Sequence, residues 1–149
     1  MTLQNLLAIN KLQPHTPACS AVLKLLRAAE RNLADARLDA LSSDNRFDAA
    51  YKTIMQCAML GLWANGYRTS TNQPGHHQTA IQSLPLTMQV PKESVIVLDA
   101  LRKQRNLNDY EGDPIANSAS TACLSEAENL LAHTRQWLTI NHPKLVEEP

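Results

Sequence analysis

Apolar residues recur at three- and four-residue steps through most of this chain, and proline and glycine divide the recurrence into pieces of helical length. After a short N-terminal segment, Thr16-Pro17 offers a helix start, and Val22, Leu25, Leu26, Ala29, Leu33 and Ala36 predict a first long helix to about Leu41. Ser43 and Asp44 can cap a second, in which Phe47, Ala50, Tyr51, Ile54, Ala58 and Leu62 repeat before Gly66. Its opposite face, with Ala49, Cys57, Met59 and Leu60, is also apolar, which predicts a central helix packed by several neighbours.

A polar loop over 69–75 leads to a short helix from about His76 to Leu86, which Pro85 ends or kinks. Pro91 opens a fourth helix with Val95, Ile96, Leu98 and Leu101 as its core stripe, fading near Asn108 ahead of the turn residues Glu111-Gly112-Asp113-Pro114. The last helix runs from Asn117 or Ser118 to about Ile140, with Ala122, Ala127, Leu130, Leu131, Thr134 and Leu138 inward. Residues 141–149 read as a frayed tail. The expectation is an all-α up-down bundle of four or five helices over 16–140, with 1–15 as an extension that caps the bundle or meets a partner.

Composition agrees: 22 Leu and 19 Ala stand against 5 Val and 6 Ile, the residue balance of helices rather than strands. The 149 residues make about one domain of ordinary size. Fourteen basic and fourteen acidic side chains cancel, so any attraction to nucleic acid must come from a local patch. Cys19, Cys57 and Cys123 are far apart in sequence and lie in apolar or Ala-rich runs, as reduced thiols would. No run of about 18 apolar residues spans a membrane and no cationic stretch precedes 1–13 as in a secretory signal, so the expected location is cytoplasmic.

The densest polar stretch is Arg102-Lys103-Gln104-Arg105-Asn106-Leu107-Asn108-Asp109-Tyr110. Arg102, Arg105 and Asp109 project to one side of a helix, where two guanidinium groups can hold a phosphate; as ordinary intrahelical pairs they would instead make a solvated face, or a lattice that orders a dimer. His76-His77 point about 100° apart on a helix, a poor arrangement for one metal, so they either pack locally or reach the Arg105 groove. Trp63, Tyr67 and Arg68 fit a core lid better than a base-stacking platform. No metal or cofactor signature is present in the sequence.

The stretch Arg105-Asn106-Leu107-Asn108-Asp109-Tyr110, set after an Ala-rich helix RFDAAYKTIMQCAMLGLWANGYR and the turn Gly75-His76-His77, resembles the HEPN family of small helical nucleotide- and RNA-associated proteins over roughly 16–140. The resemblance implies a homodimer, a toxin–antitoxin or defence setting with an antitoxin protein as partner, and an Arg-centred groove for RNA or nucleotide. Catalytic members pair the Arg with a His four to six residues later to cleave RNA without metal; here Tyr110 occupies that place. Arg105 would then hold the scissile phosphate with Arg102 and Asp109 beside it, Asn106 would support it, and Tyr110 would stand for the His. A phenol titrates near 10, a poor base at neutral pH, so a metal-independent endoribonuclease and a non-catalytic helical dimerisation or interaction module are both open. Arg105 and Tyr110 lie about 140° apart on an ideal helix and meet only if it loosens near Asn108.

Overall fold

A computed structural model describes residues 1–148 and is built almost wholly of helix. Helix α1 (Leu3–Ala8) and strand β1 (Leu12–Pro14) precede α2 (Cys19–Ala36), α3 (Ser43–Ala64) and strand β2 (Tyr67–Thr69); α4 (His76–Gln82), α5 (Leu84–Thr87), α6 (Lys92–Glu111), α7 (Asn117–Asn141) and a 3₁₀ turn (Pro143–Val146) follow. The all-α expectation holds. Among the described residues no helix is long and apolar enough to cross a membrane.

Helix α3 is the axis of the molecule. Its twelve buried residues run from Phe47 to Ala64 on all sides, because α2, α7, α4 and α5 each pack against it. Ser42 caps it through a hydroxyl that accepts from the Asn45 amide. Helix α2 has a single apolar stripe, Val22, Leu26, Ala29, Leu33 and Ala36, and lays it on α3. The buried Thr53 hydroxyl donates to the Ala29 carbonyl across that seam, at 3.2 Å. Gly61 lets α5 approach closely: a Cβ there would lie 2.9 Å from Thr87 Oγ1 and 3.2 Å from Met88. Gly61→Ala gains helix propensity of about 1 kcal/mol but overpacks a tight contact at about 1–3 kcal/mol. The expected net loss, on the order of 1 kcal/mol, would appear as a lower urea midpoint.

Several boundaries differ from the sequence reading. Helix α2 stops at Ala36 rather than near Leu41, and the third predicted helix is two pieces divided at Ser83, beside Pro85. Residues 12–14 and 67–69 pair as a two-stranded antiparallel sheet with Leu12 opposite Thr69, although periodicity predicts no strand. Backbone bonds from His15 to Gly66 and from Ser70 to Lys11 extend that pairing. It draws Leu6 and Leu12 into the core, so residues 1–15 cap the bundle. Residues 143–146 form the 3₁₀ turn instead of fraying: Leu145 and Val146 pack on the core, and Glu148 pairs with Arg27.

Two predicted core positions are surface positions. Ile96 is 70% exposed, because Leu98 and Leu101 already fix the buried face of α6. Ala122 is exposed and its neighbour Cys123 is buried in its place. Cys19, Cys57 and Cys123 are all free thiols, and burial pushes those of Cys57 and Cys123 up to about 12.

Candidate functional site

Helix α6 runs unbroken past Asn108 to Glu111, where Gly112 takes a left-handed conformation (φ 76°) and returns its N–H to the Asn108 carbonyl at 2.8 Å. With no loosening at Asn108, Arg105 and Tyr110 stay about 140° apart. Tyr110 is 91% exposed and does not join Arg105 within the chain. Asn106 is exposed too, and its side chain bonds to nothing among the described residues.

The inner side of α6 carries the two arginines. Arg102 Nε donates to Asp99 Oδ1 at 2.8 Å, and Lys103 Nζ lies 3.5 Å from Asp99 Oδ2. Burial works against the Asp99 carboxylate, but the bonds and charges of Arg102 and Lys103 outweigh it and hold its pKa below the usual value. Arg102 is thereby committed to a structural pair. Arg105 is not: its nearest carboxylates, Asp48 at 3.8 Å and Asp109 at 3.9 Å, are too distant for hydrogen bonds. Its guanidinium lies 5.0 Å from the centre of the Tyr51 ring, over its face, with its N–H donors unused among the described residues.

Tyr51 joins this cation to a histidine. Its ring is buried on α3, and its hydroxyl lies 3.3 Å from His77 Nδ1 in the first turn of α4. The rings of His77 and His76 meet edge to face at 4.7 Å. Burial pushes the Tyr51 phenol up to about 12, against the pull of Arg105 and Arg102, so it remains protonated across the physiological range. Burial likewise lowers the pKa of His77, and the neighbouring His76, Arg105 and Arg102 lower it further. The imidazole is thus favoured in its neutral form, and with Nδ1–H donating to the Tyr51 hydroxyl, Nε2 is left as a free acceptor. Burial raises the Asp48 pKa despite Arg105, with Asp109 and Asp44 adding to the rise.

The structure therefore brings together Arg105, Tyr51 and His77 in a contiguous row, with Arg102, Asp48 and Asp109 around it. The family resemblance pointed to Tyr110 and passed over Tyr51, whose 3.6-residue placement identified it only as core. Among the described residues no group of three or more His, Cys, Asp or Glu side chains could hold a metal ion.

Comparison with family models, curated proteins and solved structures found no match.

Proton linkage gives a direct check. A folded-state pKa below the unfolded value means the unfolded chain binds more protons as pH falls past about 6.5, so this group removes stability on acidification and restores it as pH rises. An NMR titration is expected to place the His77 midpoint below about 6.5, and Arg105→Ala is expected to move it upward. A midpoint indifferent to Arg105 would contradict the arrangement.

Proposed function

We propose that this chain is a HEPN-like, RNA-directed protein of the toxin–antitoxin or defence type, acting as a homodimer on a phosphate held by Arg105. The observation that supports it is the row Arg105–Tyr51–His77, in which one buried phenol contacts both an uncommitted guanidinium and an imidazole that burial favours neutral. His77 then supplies in space what Tyr110 lacks in sequence. In this mechanism His77 Nδ1–H donates to the Tyr51 hydroxyl, Nε2 takes the proton of a ribose 2′-hydroxyl, the oxygen attacks the phosphorus, and the 5′-oxygen leaves with a proton from solvent. Arg105 balances the charge that builds on the phosphoryl oxygens. The products are a 2′,3′-cyclic phosphate and a 5′-hydroxyl end. No metal takes part, so EDTA leaves the reaction intact.

A dimer is favoured by the outer face of α6. Ile96, Ala100, Lys103, Leu107 and Tyr110 are all exposed and follow alternating four- and three-residue steps, the spacing of a helix–helix seam. Leu107→Glu is expected to halve the mass seen by light scattering, with unchanged helicity by circular dichroism. The three unpaired thiols suit a reducing, cytoplasmic setting. An antitoxin protein would be the natural further partner of such a chain.

The test is cleavage of RNA in EDTA by the parent, Arg105→Ala and His77→Asn proteins, with end-group analysis of the products. Loss of cleavage in both variants supports the reading. The non-catalytic alternative, favoured by the exposed and distant Tyr110, predicts intact RNA throughout and RNA binding that depends on Arg105 alone.

A further inference from the structure

Arg105 has a second surrounding besides Tyr51. It forms one wall of a cleft of about 350 Å³ between α2 and α3, whose polar lining is Asn32, Asp35, Asn45, Asp48 and Lys52. Leu41 and Ala49 contribute the apolar part. This volume is in the range of small-ligand sites.

The chemistry of the lining differs from that of a phosphate site. Two carboxylates, Asp35 and Asp48, cancel two cations, Lys52 and Arg105, so the cleft as a whole has no net pull on a polyanion. Its polar groups are largely unused: Asp35 and Lys52 make no ion pair among the described residues. Asn32 gives one donor to Gln56 at 2.9 Å and keeps its carbonyl free. The Asn45 side chain is exposed and plays no part in the Ser42 cap, which uses the Asn45 backbone amide. Asp35 sits in the last turn of α2, where the negative helix end disfavours a carboxylate, and no cation pairs with it among the described residues.

Amide groups read the donor and acceptor edge of a base, carboxylates accept from ribose hydroxyls, and an apolar wall takes the base's flat face. Resting on the RNA reading of Arg105, we infer that this cleft is a nucleoside subsite: it takes the base and ribose of one nucleotide while Arg105 holds the adjoining phosphate. Asp35 and Asp48 face the sugar hydroxyls, which makes the subsite selective for ribose over deoxyribose. Asn32 and Asn45 face the base and bias the protein toward one nucleotide.

The test is binding, by calorimetry or NMR shift mapping, of inorganic phosphate, the four ribonucleoside 5′-monophosphates, their deoxy counterparts and the free ribonucleosides. At least one ribonucleotide is expected to bind about tenfold or more tightly than inorganic phosphate and than its deoxy form, as one or two hydrogen bonds to a charged group imply. Asn45→Ala and Asp35→Asn are expected to erase that preference and leave phosphate affinity unchanged. Both positions are exposed and outside the core, so each variant should fold as the parent does. Phosphate binding that needs Arg105 but shows no nucleotide preference overturns the cleft and leaves the Arg105 reading standing. Nucleoside binding that ignores Arg105→Ala keeps the cleft and overturns the phosphate reading. Binding of no probe overturns both.

Discussion

Arg105→Ala is expected to lower the rate of RNA cleavage by about 10²–10³-fold, the loss typical of removing one preorganised group that stabilises transition-state charge. The size follows from where the side chain sits. Its guanidinium rests on the buried Tyr51 ring and is held by carboxylates only at 3.8 and 3.9 Å, so its donors are oriented without being consumed. A phosphate would meet a cation already in place, with little reorganisation. His77→Asn removes the proposed proton acceptor and should cost about 10²–10⁴-fold. If the two act on one phosphate, as proposed, the double variant should lose far less than the product of the single losses. Tyr110→Phe, at an exposed site separated from Arg105 around the helix, is expected to leave the intrinsic rate of a dimer unchanged. Full activity in Arg105→Ala would sink the proposal.

The largest expected effect on stability is Phe47→Ala. Phe47 is the largest fully buried side chain, 0% exposed on the α3 axis, and the Cys123 thiol of α7 points at its carbonyl from 3.8 Å. Removing the ring forfeits its transfer free energy and leaves a cavity that helices packed on several sides cannot close, about 3–5 kcal/mol in all. Against a total stability of about 5–15 kcal/mol, that removes roughly a fifth or more of the margin. At about 2–4 °C per kcal/mol for a chain of this size, Tm should fall by roughly 10 °C. A loss under about 1 kcal/mol would mean that α3 is not the packing axis.

How far the sequence could be read depended on the range of the interaction involved. The central place of α3 was legible because a helix apolar on every face has only one stable environment, and the α2 stripe was legible because apolar residues at three- and four-residue steps define one buried face. Ile96 misled because α6 is narrow in its buried face: Leu98 and Leu101 suffice, and an apolar residue two positions before Leu98, about 200° around the helix, turns outward. Strands β1 and β2 were invisible because three-residue strands show no period, and their partners lie over fifty residues apart.

The site divides along the same line. Arg102, Arg105 and Asp109 share one side of α6 by helix geometry alone, so local spacing found them. Tyr110 was selected by motif position, and an uninterrupted helix to Glu111 keeps it apart from Arg105. Sequence alone determined the all-α class, the central helix and the position of the cationic stretch, because these depend on periodicity and residue type within a few turns. Tertiary structure alone decided that α4 sets His77 against Tyr51, that Tyr51 lies under Arg105 and that Arg102 is spent on Asp99. Those contacts depend on how helices distant in sequence pack together, which no spacing within a single helix encodes.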